Sequence, residues 1–268
     1  DYRAVTLGFV VLALAGCDRS EKGTASDEYA LHHSLSSRIK GLDPAHLTDI
    51  YSRVICSQIY ESLYEYHYLK CPYSLVGLLA EAMPSVSDDG RVYRIRIREG
   101  VFFHDDPCFE TGKGRQVTAR DFVYSFKRIA DVRTRSPNWF VLDGRIEGLD
   151  EFRRYSGTCG DAVAVDYDRE VPGLGGDGAR TLVIRLSRPW PQFVYSVLAD
   201  VFSAPVAREA VEYYGEDFIS HPVGTGPYML KRWVRGSVIE MVRNPRYRMQ
   251  QYPTQGQPGD AEAGYLDD

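Results

Sequence analysis

The most reactive-looking stretch of this chain is Phe103-His104-Asp105-Asp106, where an imidazole stands beside two carboxylates. Such groups can ligate a metal or exchange protons with a substrate. Their adjacency argues against joint action, because successive side chains of an extended segment point to opposite faces. No second histidine with ligand spacing lies nearby. His32 and His33 form a similar adjacent pair with no evident partners. Gly224-Thr225-Gly226-Pro227-Tyr228 superficially resembles a phosphate loop. It lacks the lysine and the full glycine spacing, and Pro227 removes an amide donor, so a tight turn is expected. No Gly-x-Ser-x-Gly motif is present. The five cysteines, Cys17, Cys56, Cys71, Cys108 and Cys159, show no Cys-x-x-Cys spacing, so no structural zinc site is expected. The expectation is a non-enzyme without metal or cofactor. The alternative is a secreted metal-dependent hydrolase using His104, Asp105 and Asp106.

The N-terminus carries a different kind of chemistry. Residues Ala4 to Ala15 are uncharged and mostly apolar, with Arg3 before them. The run is shorter than the roughly 20 residues a membrane-spanning helix needs. It fits the apolar region of an export signal. Leu14-Ala15-Gly16-Cys17 resembles the lipobox of bacterial lipoproteins, which implies cleavage before Cys17 and lipidation of its sulfur. Residues 1–16 are therefore expected to be a lipoprotein signal peptide whose start is missing, since the chain opens on Asp1. Residues 17–28 turn polar and read as a tether. If lipid takes Cys17, then Cys56, Cys71, Cys108 and Cys159 remain, and whether they pair stays open.

Several elements can be placed by pattern. Leu42-Asp43-Pro44 reads as a turn. A helix is expected from Thr48, as N-cap, to about Tyr64, with Ile50, Val54, Ile55, Ile59 and Leu63 as its apolar stripe. Asp88-Asp89-Gly90 is a turn. Tyr93, Ile95 and Ile97 then alternate with Arg94, Arg96 and Arg98, which predicts a strand with one buried and one solvated basic face. Thr118 and Asp121 make an Asp version of the capping box, ahead of a helix to about Asp131 on Phe122, Phe126 and Ile129. Gly144 to Gly178 reads as long connections around a short helix near Asp150 to Tyr155. Thr181 to Leu186 and Val238 to Arg243 are strands. Pro205 opens a further helix that Gly215 closes. From Met249 onward the composition is that of a loop or linker.

Composition bounds the rest. The 268 residues are 44% apolar and 26% charged, as in ordinary globular proteins. The net charge of −5 gives no reason to expect nucleic-acid binding. The 19 tyrosines suit either a core or a recognition surface. Strands and helices without strict alternation predict a mixed α/β, or α+β, architecture.

Four segments together resemble the peptide/nickel solute-binding proteins of ABC importers (family 5, oligopeptide-binding type). They are Leu42-Asp43-Pro44 with Ile59 to Tyr64, Asp89 to Phe103, Val117 to Arg128, and Pro222 to Tyr228 followed by Arg243 to Tyr247. The resemblance implies a periplasmic-binding-protein-like type II fold whose two lobes close on a ligand. It implies a discontinuous first lobe (29–60 and 180–248), a flanking subdomain (61–179), and a linker (249–268) toward a second lobe that is missing. It implies Thr48, Asp49 and Ile50 for main-chain ligand contacts, and Asn138 and Trp139 as wall contacts. The implied role is oligopeptide capture outside the cytoplasmic membrane and delivery to the permease subunits, from a lipid-anchored position in the periplasmic space. Nickel, haem or sugar are the other ligands found in such a family.

Overall fold

A computed structural model describes residues 30–160 and 163–248. The chain divides into two units between Ser36 and Ser37. In the first, the described residues 30–36 form neither helix nor strand. Everything below belongs to the second.

The alternation of apolar and arginine residues produces strand β4 (Val92–Arg96), whose Tyr93 and Ile95 are buried while Arg94 and Arg96 are exposed. β4 pairs antiparallel with β6 (Thr181–Arg185), setting Ile95 opposite Leu182 and Tyr93 opposite Ile184. β3 (Ser85–Val86) flanks β4, and β5 (Leu174–Asp177) flanks β6, giving a four-stranded sheet in the order β3-β4-β6-β5. Two hairpins stand apart from it: β1 (Tyr64–Tyr66) with β2 (Leu75–Gly77), and β7 (Tyr228–Val234) with β8 (Val238–Arg243). Arg98 departs from the solvated basic face. Its guanidinium donates to the carbonyls of Leu78, Gly77 and Ala80 at 3.1–3.5 Å, tying the strand's end to the segment after β2.

Helix α2 (Ala119–Ala130) carries the central packing. Asp121 accepts from the Thr118 backbone N–H at 2.7 Å, as a capping box requires. Phe122, Phe126 and Ile129 are buried against the sheet and against α4 (Leu149–Thr158). Helix α3 (Trp139–Leu142) is a single turn, and α5 (Arg208–Tyr214) ends at Gly215, whose φ of 54° favours glycine. The expected mixed α/β architecture is what forms. Tyrosine serves both uses: Tyr60, Tyr64, Tyr93 and Tyr124 lie in the core, while Tyr66, Tyr73 and Tyr195 form an exposed cluster.

Two of the expected helices change. The first helix, α1, runs Ile50–Ile59, and its N-cap is Asp49, whose carboxylate accepts from the Ser52 N–H at 2.8 Å. Its buried stripe is Ser52, Ile55, Cys56 and Ile59, whereas Ile50 and Val54 are exposed. It stops at Ile59 because Tyr60 is extended and the Gly226 N–H donates to the Ile59 carbonyl at 2.8 Å. The residues beyond, Tyr60 to Leu63, are buried as extended chain, with Glu61 held by Arg248, Thr225 and Tyr247. The helix after Pro205 begins only at Arg208, because Ala207 is still extended.

Candidate functional site

The segment from Asp43 to Ile50 is built on a buried carboxylate. Asp43 caps a 3-10 turn (Pro44–His46) by accepting from the Ala45 N–H at 3.1 Å. The same carboxylate receives both guanidinium nitrogens of Arg128 on α2, at 3.0 and 2.8 Å. Burial alone would raise the Asp43 pKa. The charge of Arg128, with hydrogen bonds from His46 and Arg128, outweighs it and holds the carboxyl well below the usual range. Burial likewise opposes the charge on Arg128, and Asp43 more than restores it. The guanidinium also lies over the Phe218 ring, 5.2 Å from its centroid.

A second segment, from Asp131 to Leu142, is stitched to the first. A 3-10 turn (Val132–Thr134) is followed by Arg135 in the left-handed region, with φ of 52°. The Ser136 hydroxyl then donates to the Ala45 carbonyl at 2.5 Å. Asn138 Nδ2 lies 3.3 Å from the carbonyls of both Ala45 and Leu47. The ring of His46 spans Asp43 and the Thr134 carbonyl. Two loops some 90 residues apart in sequence thus form one surface, with its charges paired underneath.

The five residues expected to meet a ligand fall on or beside this surface. Thr48 and Ile50 are exposed, Ile50 by 68%. Asp49 spends both carboxylate oxygens on Ser52, at 2.8 Å each. Asn138 is buried and spends its amide on the neighbouring loop. Trp139 lies under the Arg153 guanidinium, 4.7 Å from its ring centroid. Phe140, which follows it, is 76% exposed. The residues that hold the surface together escaped the sequence reading. Asp43 lies inside the Leu42-Asp43-Pro44 motif, which the sequence marks only as a turn, and His46 lies two residues beyond it. Arg128 carried no signal, because nothing in the pattern of α2 links it to a residue 85 positions earlier. Arg53 of α1 adds an ion pair with Asp200, which caps the 3-10 turn Val201–Ser203.

The three residues with the most overt chemistry are separated. His104 Nε2 donates to the Gly226 carbonyl at 2.9 Å, and Nδ1 faces the Gly224 N–H at 3.4 Å. Burial pushes its pKa down to about 4, so the ring is a neutral brace. Asp105 pairs with Lys113 and Arg246 and accepts from the Gly114 N–H. Asp106 accepts from the Tyr214 hydroxyl and the Cys108 N–H. Among the described residues no cluster of histidine, cysteine and carboxylate could hold a metal. Gly224 and Gly226 press against the carbonyls of Gln58 and Ile59, where a Cβ would collide, so this segment is a tight turn. Cys56, Cys71, Cys108 and Cys159 are free thiols. Cys17 and the apolar run before it lie outside the described residues. Among those described, no helix is long and apolar enough to cross a membrane.

Comparison with known proteins shows the family. Residues 74–267 match the profile of bacterial extracellular solute-binding proteins, family 5, middle. The periplasmic oligopeptide-binding protein OppA of Salmonella typhimurium is 28% identical over 230 residues, covering 83% of this chain and 37% of OppA. The glutathione-binding protein GsiB of Shigella dysenteriae is 26% identical over 245 residues, covering 91% of this chain and 38% of GsiB. The solved structure of the Escherichia coli murein tripeptide binding protein MppA superposes with a TM-score of 0.65 at 26% identity. It covers 80% of this chain and 38% of MppA. The chain thus spans well under half the length of these relatives.

Proposed function

The chain belongs to family 5 of the bacterial extracellular solute-binding proteins, with a type II periplasmic-binding-protein fold, and on that premise we propose that it captures short peptides for an ABC importer. The observation that carries the reading is the paired-loop surface. Its rim presents Thr48, Ile50 and Phe140, while the charges of Asp43 and Arg128 are neutralised beneath it. Such a rim offers main-chain hydrogen bonds and apolar contact without demanding a particular ligand side chain. Backbone bonding combined with roomy, partly hydrated pockets gives broad peptide specificity.

In this reading Thr48, Asp49 and Ile50 meet the ligand through the main chain. Asn138 and Trp139 support the wall. Asn138 acts by fixing the Ala45 and Leu47 carbonyls, and Trp139 by its Arg153-backed ring. Capture proceeds by closure of lobes on the ligand. Cys17 carries a lipid that holds the protein at a membrane of the cell envelope, and the captured peptides pass to the permease subunits of the importer. The relatives are named for an oligopeptide, glutathione and a murein tripeptide, and a short peptide-like backbone is common to all three.

The test is thermal unfolding of the full chain with an equimolar mixture of tri- to pentapeptides of random sequence. A peptide hundredfold above its Kd stabilises the folded state by about 2.7 kcal/mol. No shift with any peptide, alongside a shift with nickel, haem or a sugar, overturns the peptide assignment. Metal-dependent turnover lost in His104→Ala would instead establish a hydrolase.

A further inference from the structure

His46 sits between two groups that can only accept. Its Nδ1 is 2.9 Å from Asp43 Oδ2, and its Nε2 is 2.7 Å from the Thr134 carbonyl oxygen. Asp43 is ionised, so it has no proton to give, and a carbonyl never has one. A neutral imidazole carries a single N–H. Whichever tautomer it adopted, the other nitrogen would turn a lone pair on an oxygen lone pair less than 3 Å away. Only the imidazolium donates to both.

The place of this bridge matters. Asp43 heads the first loop and Thr134 belongs to the second, so His46 is a third stitch beside Ser136 and Asn138. Those two are neutral and indifferent to pH. The side chain of His46 is one-third exposed, so water can exchange its proton.

The charged surroundings support the cation on balance. The hydrogen bond to Asp43 favours it most, burial opposes it, and the Asp43 charge and the Thr134 carbonyl favour it again. Arg128 of α2 opposes it. Asp49 of α1 is bonded to Ser52, and Arg53 of α1 to Asp200, next to the turn packed on Pro44–His46. Around Thr134, Asp131 accepts from Tyr167, Arg133 donates to the Val163 carbonyl, and Arg135 points to solvent. The net effect raises the pKa of His46 above its ordinary 6.5. A raised pKa means that the stabilisation is complete below the ordinary value and is lost as pH climbs through the raised one.

We propose that His46 is a positioning residue of the ligand-facing wall: as a doubly donating imidazolium it clasps the two loops in binding geometry, and its deprotonation in alkaline solution loosens them and weakens capture. The ligand part of this rests on the peptide-binding reading above; the clasp itself does not. Losing one hydrogen bond of the clasp corresponds to roughly a 2- to 10-fold loss of affinity.

The decisive experiment is a long-range proton–nitrogen NMR titration of the full chain with labelled histidine, from pH 5 to 9. His46 is assigned by loss of its signal in His46→Gln, or in His46→Asn if the first variant folds poorly. The expected result is a ring protonated at both nitrogens at pH 6.5, with a midpoint above that value. A single neutral tautomer at pH 6.5 overturns the clasp whatever the ligand is. Affinity for the random tri- to pentapeptide mixture is then compared at pH 6 and pH 8.5. Between the two pH values the wild type should lose several-fold more affinity than His46→Gln, whose own change reports the titration of the peptides' amino termini. The same pH dependence in wild type and in His46→Gln, with the His46 midpoint lying between the two values, overturns the coupling to capture. Should no peptide bind at either pH while His46 still titrates high, the peptide reading has failed and the ligand part of the proposal falls with it.

Discussion

Replacing Asp43 with alanine removes the acceptor on which the first loop is built. The carboxylate takes hydrogen bonds from the Ala45 N–H, His46 and both terminal nitrogens of Arg128. Arg128 remains behind with a side chain 7% exposed, stripped of its only carboxylate partner among the described residues. Stranding a buried charge costs about 3–5 kcal/mol. A domain of this kind has about 5–15 kcal/mol in total, so the loss is a large fraction of its stability. Arg128→Met in the same chain removes the stranded cation and fills its volume with apolar atoms. Replacing a whole buried pair is often close to neutral. The double variant Asp43→Ala/Arg128→Met should therefore be more stable than Asp43→Ala alone, while remaining about 1–2 kcal/mol below wild type because Ala45 and His46 lose an acceptor. Urea unfolding of all four proteins at pH 7, with matching m-values, measures the cycle. The reasoning is refuted if the double variant costs the sum of the two singles, or if Asp43→Ala costs under about 1 kcal/mol. The pH behaviour has a sign as well. A depressed carboxyl pKa means that the pair's contribution is intact above the ordinary aspartate value of 3.8 and is lost only as pH falls below it.

Three further outcomes are expected. His104 is buried neutral with a pKa of about 4 against an ordinary 6.5, so the unfolded chain binds the proton more readily. Stability should fall by about 3 kcal/mol as pH drops from 6.5 to 4, opposite in sense to His46, and His104→Gln should flatten that limb in urea titrations. Phe126→Ala empties a site with no solvent exposure at the centre of α2 and should cost about 3–5 kcal/mol by thermal or urea unfolding. Gly224→Ala sets a methyl group against the Ile59 carbonyl that ends α1, and should destabilise by about 1–3 kcal/mol or more. Circular dichroism melts showing wild-type stability for that variant would mean that the turn is not packed as described.

What the sequence by itself determined lies within short range. Alternation over Val92–Arg96, the Thr118–Asp121 cap and the β-rich run Val238–Arg243 each express a local preference, and each element formed with nearly the expected bounds. The family was also legible, because its motifs are contiguous and keep their order. The first helix shows where local information ended. Thr48 and Asp49 are both good caps, and the expected stripe through Ile50, Val54, Ile55 and Ile59 shares only Ile55 and Ile59 with the buried one of Ser52, Ile55, Cys56 and Ile59. Packing chose between them, since only the second face meets the rest of the unit. The helix also ended early because Gly226, far along the chain, takes the Ile59 carbonyl. The candidate surface depended on tertiary structure still more. Asp43 and Arg128, or His46 and Thr134, have no sequence relation, and their meaning arises only when folding removes water and sets them within 3 Å. Hydrogen bonding and charge pairing act over a few ångströms of space, and a linear pattern cannot state which distant groups will share that space.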